Sequence, residues 1–101
     1  MTSNAIETDE SVLSTIGKAL AHPARVELLR LLEDGERCGC EFVPSLNLDP
    51  SVVSRHLAVL SRAGLIVSRR DGVRIMWRLV RPDIPRLLSC LANLQCSRQS
   101  E

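Results

Sequence analysis

The chain has 101 residues, 45% hydrophobic and 25% charged, an ordinary composition for a soluble globular protein and enough for one domain with a modest core. Phe42 and Trp77 are its only aromatics, so Leu, Val, Ile and Ala must fill that core. The net charge of +1 conceals two opposite blocks: residues 1–50 carry nine acids against four bases, and residues 51–81 carry seven arginines against Asp71 alone.

In chain order, the polar start MTSNAIETDE is unlike a signal peptide, and residues 1–10 are expected to be disordered. Val12, Leu13, Ile16, Ala19 and Leu20 fall on one helical stripe and predict a first helix over about 11–20. His22-Pro23 restarts the chain, with Pro23 suited to a first helical position and His22 to a cap. Val26, Leu28, Leu29, Leu31 and Leu32 predict a second, more buried helix that stops at Asp34-Gly35. Cys38-Gly39-Cys40 leads into a short third helix from Glu41 to Leu46. Asp49, a good N-cap, and Pro50 open a fourth helix over 50–62, which Ala63-Gly64 ends. Leu65–Arg70 and Val73–Val80 read as strands joined by Asp71-Gly72, a two-residue hairpin signal. Pro82, Asp83 and Pro85 open a last helix over about 84–96, carrying Ile84, Leu87, Leu88, Leu91 and Leu94.

Three helices, a tight turn, a fourth helix and a hairpin predict a winged helix-turn-helix: a mainly α (α+β) single domain over 1–101, with five helices and a two-stranded wing. In that arrangement the fourth helix enters the major groove of double-stranded DNA. At about 100° per residue, Val53, Leu57 and Leu60 share its core side. Ser51, Ser54, Arg55, Ala58 and Arg62 share the other side. That side carries no acid, its small residues admit close approach to base edges, and arginine forks suit guanine and phosphate. His56 lies on the flank, where packing competes with base contact. Arg69, Arg70 and Arg74 bracket the wing tip, placed for phosphate or the minor groove, or else as solvated edge charges. Trp77 is expected to pack the hairpin onto the helices. The first and last helices carry more apolar stripe than this core needs, which predicts a homodimer.

No apolar run is long enough to span a bilayer, so the expected address is cytoplasmic, where thiols stay reduced. Cys38, Cys40, Cys90 and Cys96 then point to metal or redox chemistry before disulfides. A CxC pair at a helix start favours thiolates, and thiolates select soft ions. Gly39 is expected to give the backbone the freedom to turn both sulfurs inward. On a regular helix Cys90 and Cys96 are separated by about 9 Å and about 120°, so they cannot both face one ion. There is no CxxC, no thioredoxin-like pattern and no placeable His-Cys-acid set, so the chain is not expected to be an enzyme.

The segments AHPARVELLRLLEDGE and SVVSRHLAVLSRAGLIVSRRDGVRIMWRL resemble the arsenic-repressor (ArsR/SmtB) family of metal-responsive repressors, over about residues 12–80. Within it, RCGCEF resembles the CxC segment of arsenite and antimonite sensors. The resemblance implies a homodimer on an imperfect inverted repeat that leaves its operator when the inducer, As(III) or Sb(III), binds; no resident cofactor is required. It carries DNA contact to Ser51, Ser54, Arg55 and His56, and the wing role to Arg70 and Arg74. The expected metal set is Cys38 and Cys40, with a third sulfur from Cys90 or Cys96, in the same chain or the partner. Two departures stand out: Val43 occupies the position of a further family cysteine, and Asp83 is followed by no histidine, so the family's last-helix metal site is missing. The alternative on the same fold is a cadmium/lead or redox/persulfide thiol sensor.

Overall fold

Thr8 begins the described part of the chain, and its hydroxyl accepts from the Ser11 amide at 3.1 Å to cap α1 (Asp9–Ala19). The computed structural model describes residues 8–99, with side-chain surroundings through Gln95. Residues 8–10, expected to be disordered, instead form this cap and first turn, with Asp9 and Glu10 favourably placed at the positive helix end. Residues 1–7 lie outside the described part.

His22 caps α2 (Pro23–Leu31) through Nδ1, which accepts from the Ala24 amide at 3.1 Å. Leu28, Leu29 and Leu32 are fully enclosed, as the periodicity requires. The expected third helix is α3 (Phe42–Leu46), entered by a tight 3-10 turn over Gly39–Glu41. It closes at Asn47, whose left-handed backbone (φ 56°) supplies the stop. The fourth helix is α4 (Pro50–Arg62). Asp49 holds the cap position, but its side chain makes no cap bond; its backbone carbonyl takes the amides of Val52 and Val53.

The sheet differs from expectation. Arg37–Cys38 forms a two-residue strand β1, which pairs antiparallel with β3 (Arg74–Leu79); β3 in turn pairs with β2 (Ile66–Asp71). The wing is therefore three-stranded, in the order β1-β3-β2. Two residues are too few to show alternation, so only the pairing of Arg37 with Trp77 and of Cys38 with Met76 reveals the strand. Asp71 pairs with Arg74, which moves the hairpin loop from Asp71-Gly72 to Gly72-Val73. Only Gly72 takes positive φ there (66°), which suits a turn with glycine first.

The core joins α2, α3, α4 and the start of β2 through Leu28, Leu29, Phe42, Val53, Leu60 and Ile66. The last helix, α5 (Ile84–Gln99), runs beyond the expected end and, among its described side chains, buries Ile84 and Leu88.

Candidate DNA interface and thiol site

One face of α4 does what its sequence pattern requires. Val53, Leu57 and Leu60 are buried, and Ser51, Ser54, Arg55 and Arg62 are exposed, with Ala58 half-buried between them. Arg62 sits in the last turn, roughly 10 Å along the axis from Arg55. His56 is corrected from a DNA contact to a packed residue. It is 7% exposed, its ring lies 4.5 Å from that of His22 at a 57° tilt, and Arg25 Nη1 stands 3.4 Å from its Nδ1. Its pKa is held below the ordinary histidine value by burial, then by His22, Arg25 and Arg55.

On the wing, Arg70 and Arg74 are exposed. Arg69 is not available as a free wing cation: it grips Glu36 through two bonds, Nε to Oε2 and Nη2 to Oε1, each 2.7 Å. This fork fastens the segment just before β1 to β2 and holds the Glu36 carboxyl below its usual range.

The CxC segment is built as a helix cap. Cys38 sits at the N-cap of the 3-10 turn, and its sulfur accepts from the Cys40 amide at 3.3 Å. Glu41 Oε2 reaches back to the Cys38 amide at 3.3 Å, so the two form a capping box with sulfur in place of the usual hydroxyl. Arg37 braces the box, donating to Glu41 Oε1 at 3.0 Å and to the Leu31 carbonyl at 2.6 Å. Cys38 is 3% exposed, whereas Cys40 is open to solvent. The Cys40 thiol and amide both donate to Cys38 and, with Arg74, hold the Cys38 thiol below its ordinary pKa despite burial. The same bond raises Cys40. Arg74 is stabilised as a cation by this partner sulfur.

Gly39 takes no left-handed backbone; its role differs from the expected turn. A side chain there would meet Trp77 Nε1 at 3.2 Å, so glycine is needed for close approach of the CxC turn to β3.

Cys38 and Cys40 open onto a cleft of about 430 Å³. Pro50, Val53, Ser54 and Leu57 of α4 form one wall, and Val73, Arg74, Ile75 and Trp77 of the wing form the other. No local pattern in the chain signals that the thiols, the α4 face and the wing arginine share one space, because each lies on a different element. Cys90 is exposed on α5 and is not brought to this pair within the protomer; the Cys96 side chain lies outside the described residues. Among the described residues no three His, Cys, Asp or Glu side chains group as a metal site. No described helix is long and apolar enough to cross a membrane.

Comparison with known proteins agrees with this geometry. Residues 22–68 match the family described as "Bacterial regulatory protein, arsR family". The uncharacterized HTH-type transcriptional regulator Rv0081 of Mycobacterium tuberculosis is 42% identical over 73 residues, covering 71% of this chain and 64% of its own length. Its crystal structure superposes with a TM-score of 0.81 at 33% identity, over 94% of this chain and 96% of that one. The arsenic resistance transcriptional regulator ArsR1 of Pseudomonas putida is 36% identical over 75 residues, covering 73% of this chain and 58% of its own length. The homodimeric winged helix-turn-helix domain of Mb0332 from Mycobacterium bovis superposes at TM-score 0.79 and 26% identity, over 98% of this chain and 94% of that one. The chain thus spans under two thirds of these two sequence relatives. It has the winged helix-turn-helix fold and belongs to the arsR family of bacterial regulatory proteins, a family of regulators and not of enzymes.

Proposed function

We propose that this chain is a DNA-binding transcriptional repressor, working as a homodimer, whose operator release is driven by a thiophilic effector at Cys38 and Cys40. The observation that carries the reading is the shared cleft: both thiols border Ser54 of α4 and Arg74 of the wing, on the two elements that touch DNA in this fold. An effector that draws the two sulfurs together reshapes the cap of α3 and presses on both DNA-facing walls. The dimer is supported by the exposed Leu13, Leu87, Leu91 and Leu94 on the terminal helices and by the homodimeric relative of known structure.

The effector we infer is trivalent arsenic or antimony, on the resemblance of the CxC segment and the softness of its donors. The residues fit two of its bonds. A third sulfur, from Cys90 or Cys96, would have to come from the partner subunit or from the chain end. The second reading is a redox or persulfide sensor, favoured by one observation: the buried Cys38 sulfur accepts from the Cys40 amide at 3.3 Å, with the exposed Cys40 thiol beside it and the Cys38 pKa held below its ordinary value.

Operator-binding anisotropy titrated in parallel with arsenite, cadmium and a persulfide donor separates these readings. Arsenite is expected to release the wild type and leave the Cys38→Ser, Cys40→Ser double variant bound; serine keeps the cap while removing the soft ligand. By linkage, operator DNA weakens arsenite binding by the same factor, typically about 5–150-fold. Release of the double variant at the wild-type arsenite concentration places the sensor elsewhere. Release by the persulfide donor alone, reversed by reductant, selects the second reading.

A further inference from the structure

Away from the thiols, the chain gathers its only two histidines at one place, the junction of α1, α2 and α4. Arg25 of α2 is the centre of that junction. Its Nε donates to the Ala19 carbonyl at 2.8 Å and its Nη2 to the Lys18 carbonyl at 3.0 Å, so one fork holds the last turn of α1. Its Nη1 stands 3.4 Å from His56 Nδ1 on α4. A guanidinium only donates, so this contact requires an unprotonated Nδ1. His22 Nδ1 is likewise an acceptor, for the Ala24 amide. Both rings therefore carry their proton at Nε2, and neither has a spare lone pair for a metal ion. His56 is 7% exposed. The groups that act on it are His22 and Arg25, from the cap and first turn of α2, and Arg55 of its own helix, all of them basic. A second proton on His56 has burial and three basic neighbours against it.

We propose that Arg25 is a positioning residue for DNA reading, one that fixes α4 against the end of α1, and that a proton on His56 opens this lock. The lock presupposes the DNA-binding reading above and is independent of the thiols. Ser54 and Arg55 directly precede His56, so a shift of α4 at His56 carries its exposed face along. Leu13 on α1 is among the apolar residues left open for a second copy. In the homodimer the lock therefore joins an assembly helix to the reading helix, and the two reading helices must keep the spacing of their half-sites. Loosening it costs the sequence that needs this register. The added positive charge, by contrast, favours any duplex through its phosphates. Acid thus lowers the preference for the operator and leaves non-specific affinity unchanged or higher. The direction follows from the contact: unprotonated His56 holds Arg25. Its pKa lies below the ordinary histidine value, so the lock is closed at neutral pH and opens as the pH falls through that lowered value.

The test uses the full chain under reductant. An operator selected from random duplexes at neutral pH and a scrambled duplex of equal length are titrated by anisotropy at about pH 7.5 and about pH 5.0, with circular dichroism and sedimentation confirming fold and mass at each. The wild type is expected to lose about fivefold or more of its operator-over-scrambled preference at the lower pH. His56→Gln, whose side-chain oxygen accepts from Arg25 but takes up no proton, should hold its preference within about twofold over that range. His22→Asn, which keeps a capping side chain, should fall as the wild type does. Arg25→Lys keeps the charge and loses the fork, so its preference should be about fivefold lower already at neutral pH, with little further change in acid. A wild-type preference that is level with pH overturns the lock without any variant. So does an equal fall in His56→Gln, a level profile in His22→Asn, or wild-type preference in Arg25→Lys. If Arg25→Lys or His56→Gln fails to fold, the wild-type and His22→Asn profiles decide. If the selected operator is not preferred even at neutral pH, the DNA-binding reading itself falls, and the lock falls with it.

Discussion

The central helices and the terminal helices treat the same kinds of residue in opposite ways. In α2, α3 and α4 the leucines, valines and Phe42 are enclosed: Leu28, Leu29, Phe42 and Leu60 have no exposed surface. In α1 and α5 only Ala19, Ile84 and Leu88 of the described apolar stripes are buried, and Val12, Leu13, Leu87, Leu91 and Leu94 stay open, with Leu13 and Leu94 each 67% exposed. Helical periodicity reports which face is apolar, but not what covers it. The core is closed by the central helices and the wing together with Ala19, Ile84 and Leu88, and the rest of the terminal stripes is left uncovered in the protomer. Under the proposed homodimer, one region carries the fold of the protomer and the other its assembly.

The strongest way to break this division is to cut each region separately. Phe42→Ala should cost about 3–5 kcal/mol of folding stability, read by urea unfolding, because the ring is wholly enclosed and leaves a cavity. The loss should be the same at every protein concentration above the dimer range. Leu91→Glu on α5 should leave protomer helicity unchanged in circular dichroism and instead shift the mass in sedimentation to monomer at micromolar concentration, since it places a charge in both copies of the apolar face. If Leu91→Glu unfolds the chain, or if it remains dimeric, the terminal helices are not the assembly region.

The contrast also runs across α4, whose inner face holds the core and whose outer face holds Arg55. Arg55→Ala should leave stability within experimental error and weaken operator binding by about 1–3 kcal/mol with loss of sequence preference. Arg74→Ala should weaken all sequences alike and flatten the salt dependence of binding, because a wing cation meets phosphate. Anisotropy at several salt concentrations, with operator and scrambled duplex, distinguishes the two. Wild-type binding by both variants would remove α4 and the wing from the DNA interface.

How much of this was legible in the sequence follows from how local each signal is. The bounds of α4 and its two faces could be read directly, because Pro50, Gly64 and a 3.6-residue period are all local. The strand β1 could not be read, since two residues gain strand geometry only from their partner β3. At His56 the choice between packing and base contact is hidden for a related reason: it flanks the exposed face by angle, and only the fold brings His22, the α2 cap, and Arg25 of α2 over it. Arg69 looks like a wing cation in a run of arginines, yet Glu36, 33 residues earlier, claims it. The thiols were legible as chemistry and illegible as a place. Their spacing raises a ligand role as an expectation, whereas the cleft they share with Ser54, Arg74 and Trp77 arises only when α4 and the wing fold around them.

The finest test lies at the seam between the two regions. Arg25 ties the end of α1 to the centre, donating from Nε to the Ala19 carbonyl at 2.8 Å and from Nη2 to that of Lys18 at 3.0 Å. Its remaining arm faces His56 Nδ1 on α4, which must be unprotonated to accept. Burial first, and then the positive charge that His22, Arg25 and Arg55 would set against a second proton, hold the folded-state His56 pKa below 6.5. The sign follows directly. Below 6.5 the unfolded chain takes up a proton that the folded chain resists, so the unfolded state binds more protons and stability falls as pH drops. The decline continues until the lowered folded pKa is passed, where both states carry the proton. Urea midpoints measured between about pH 7.5 and 5.5 should therefore fall toward acid in the wild type and flatten in His56→Gln, with little difference between the two slopes above pH 7. A wild-type midpoint that holds level or rises toward pH 5.5 would mean that His56 is charged in the fold, and that the seam between α1, α2 and α4 is open to water.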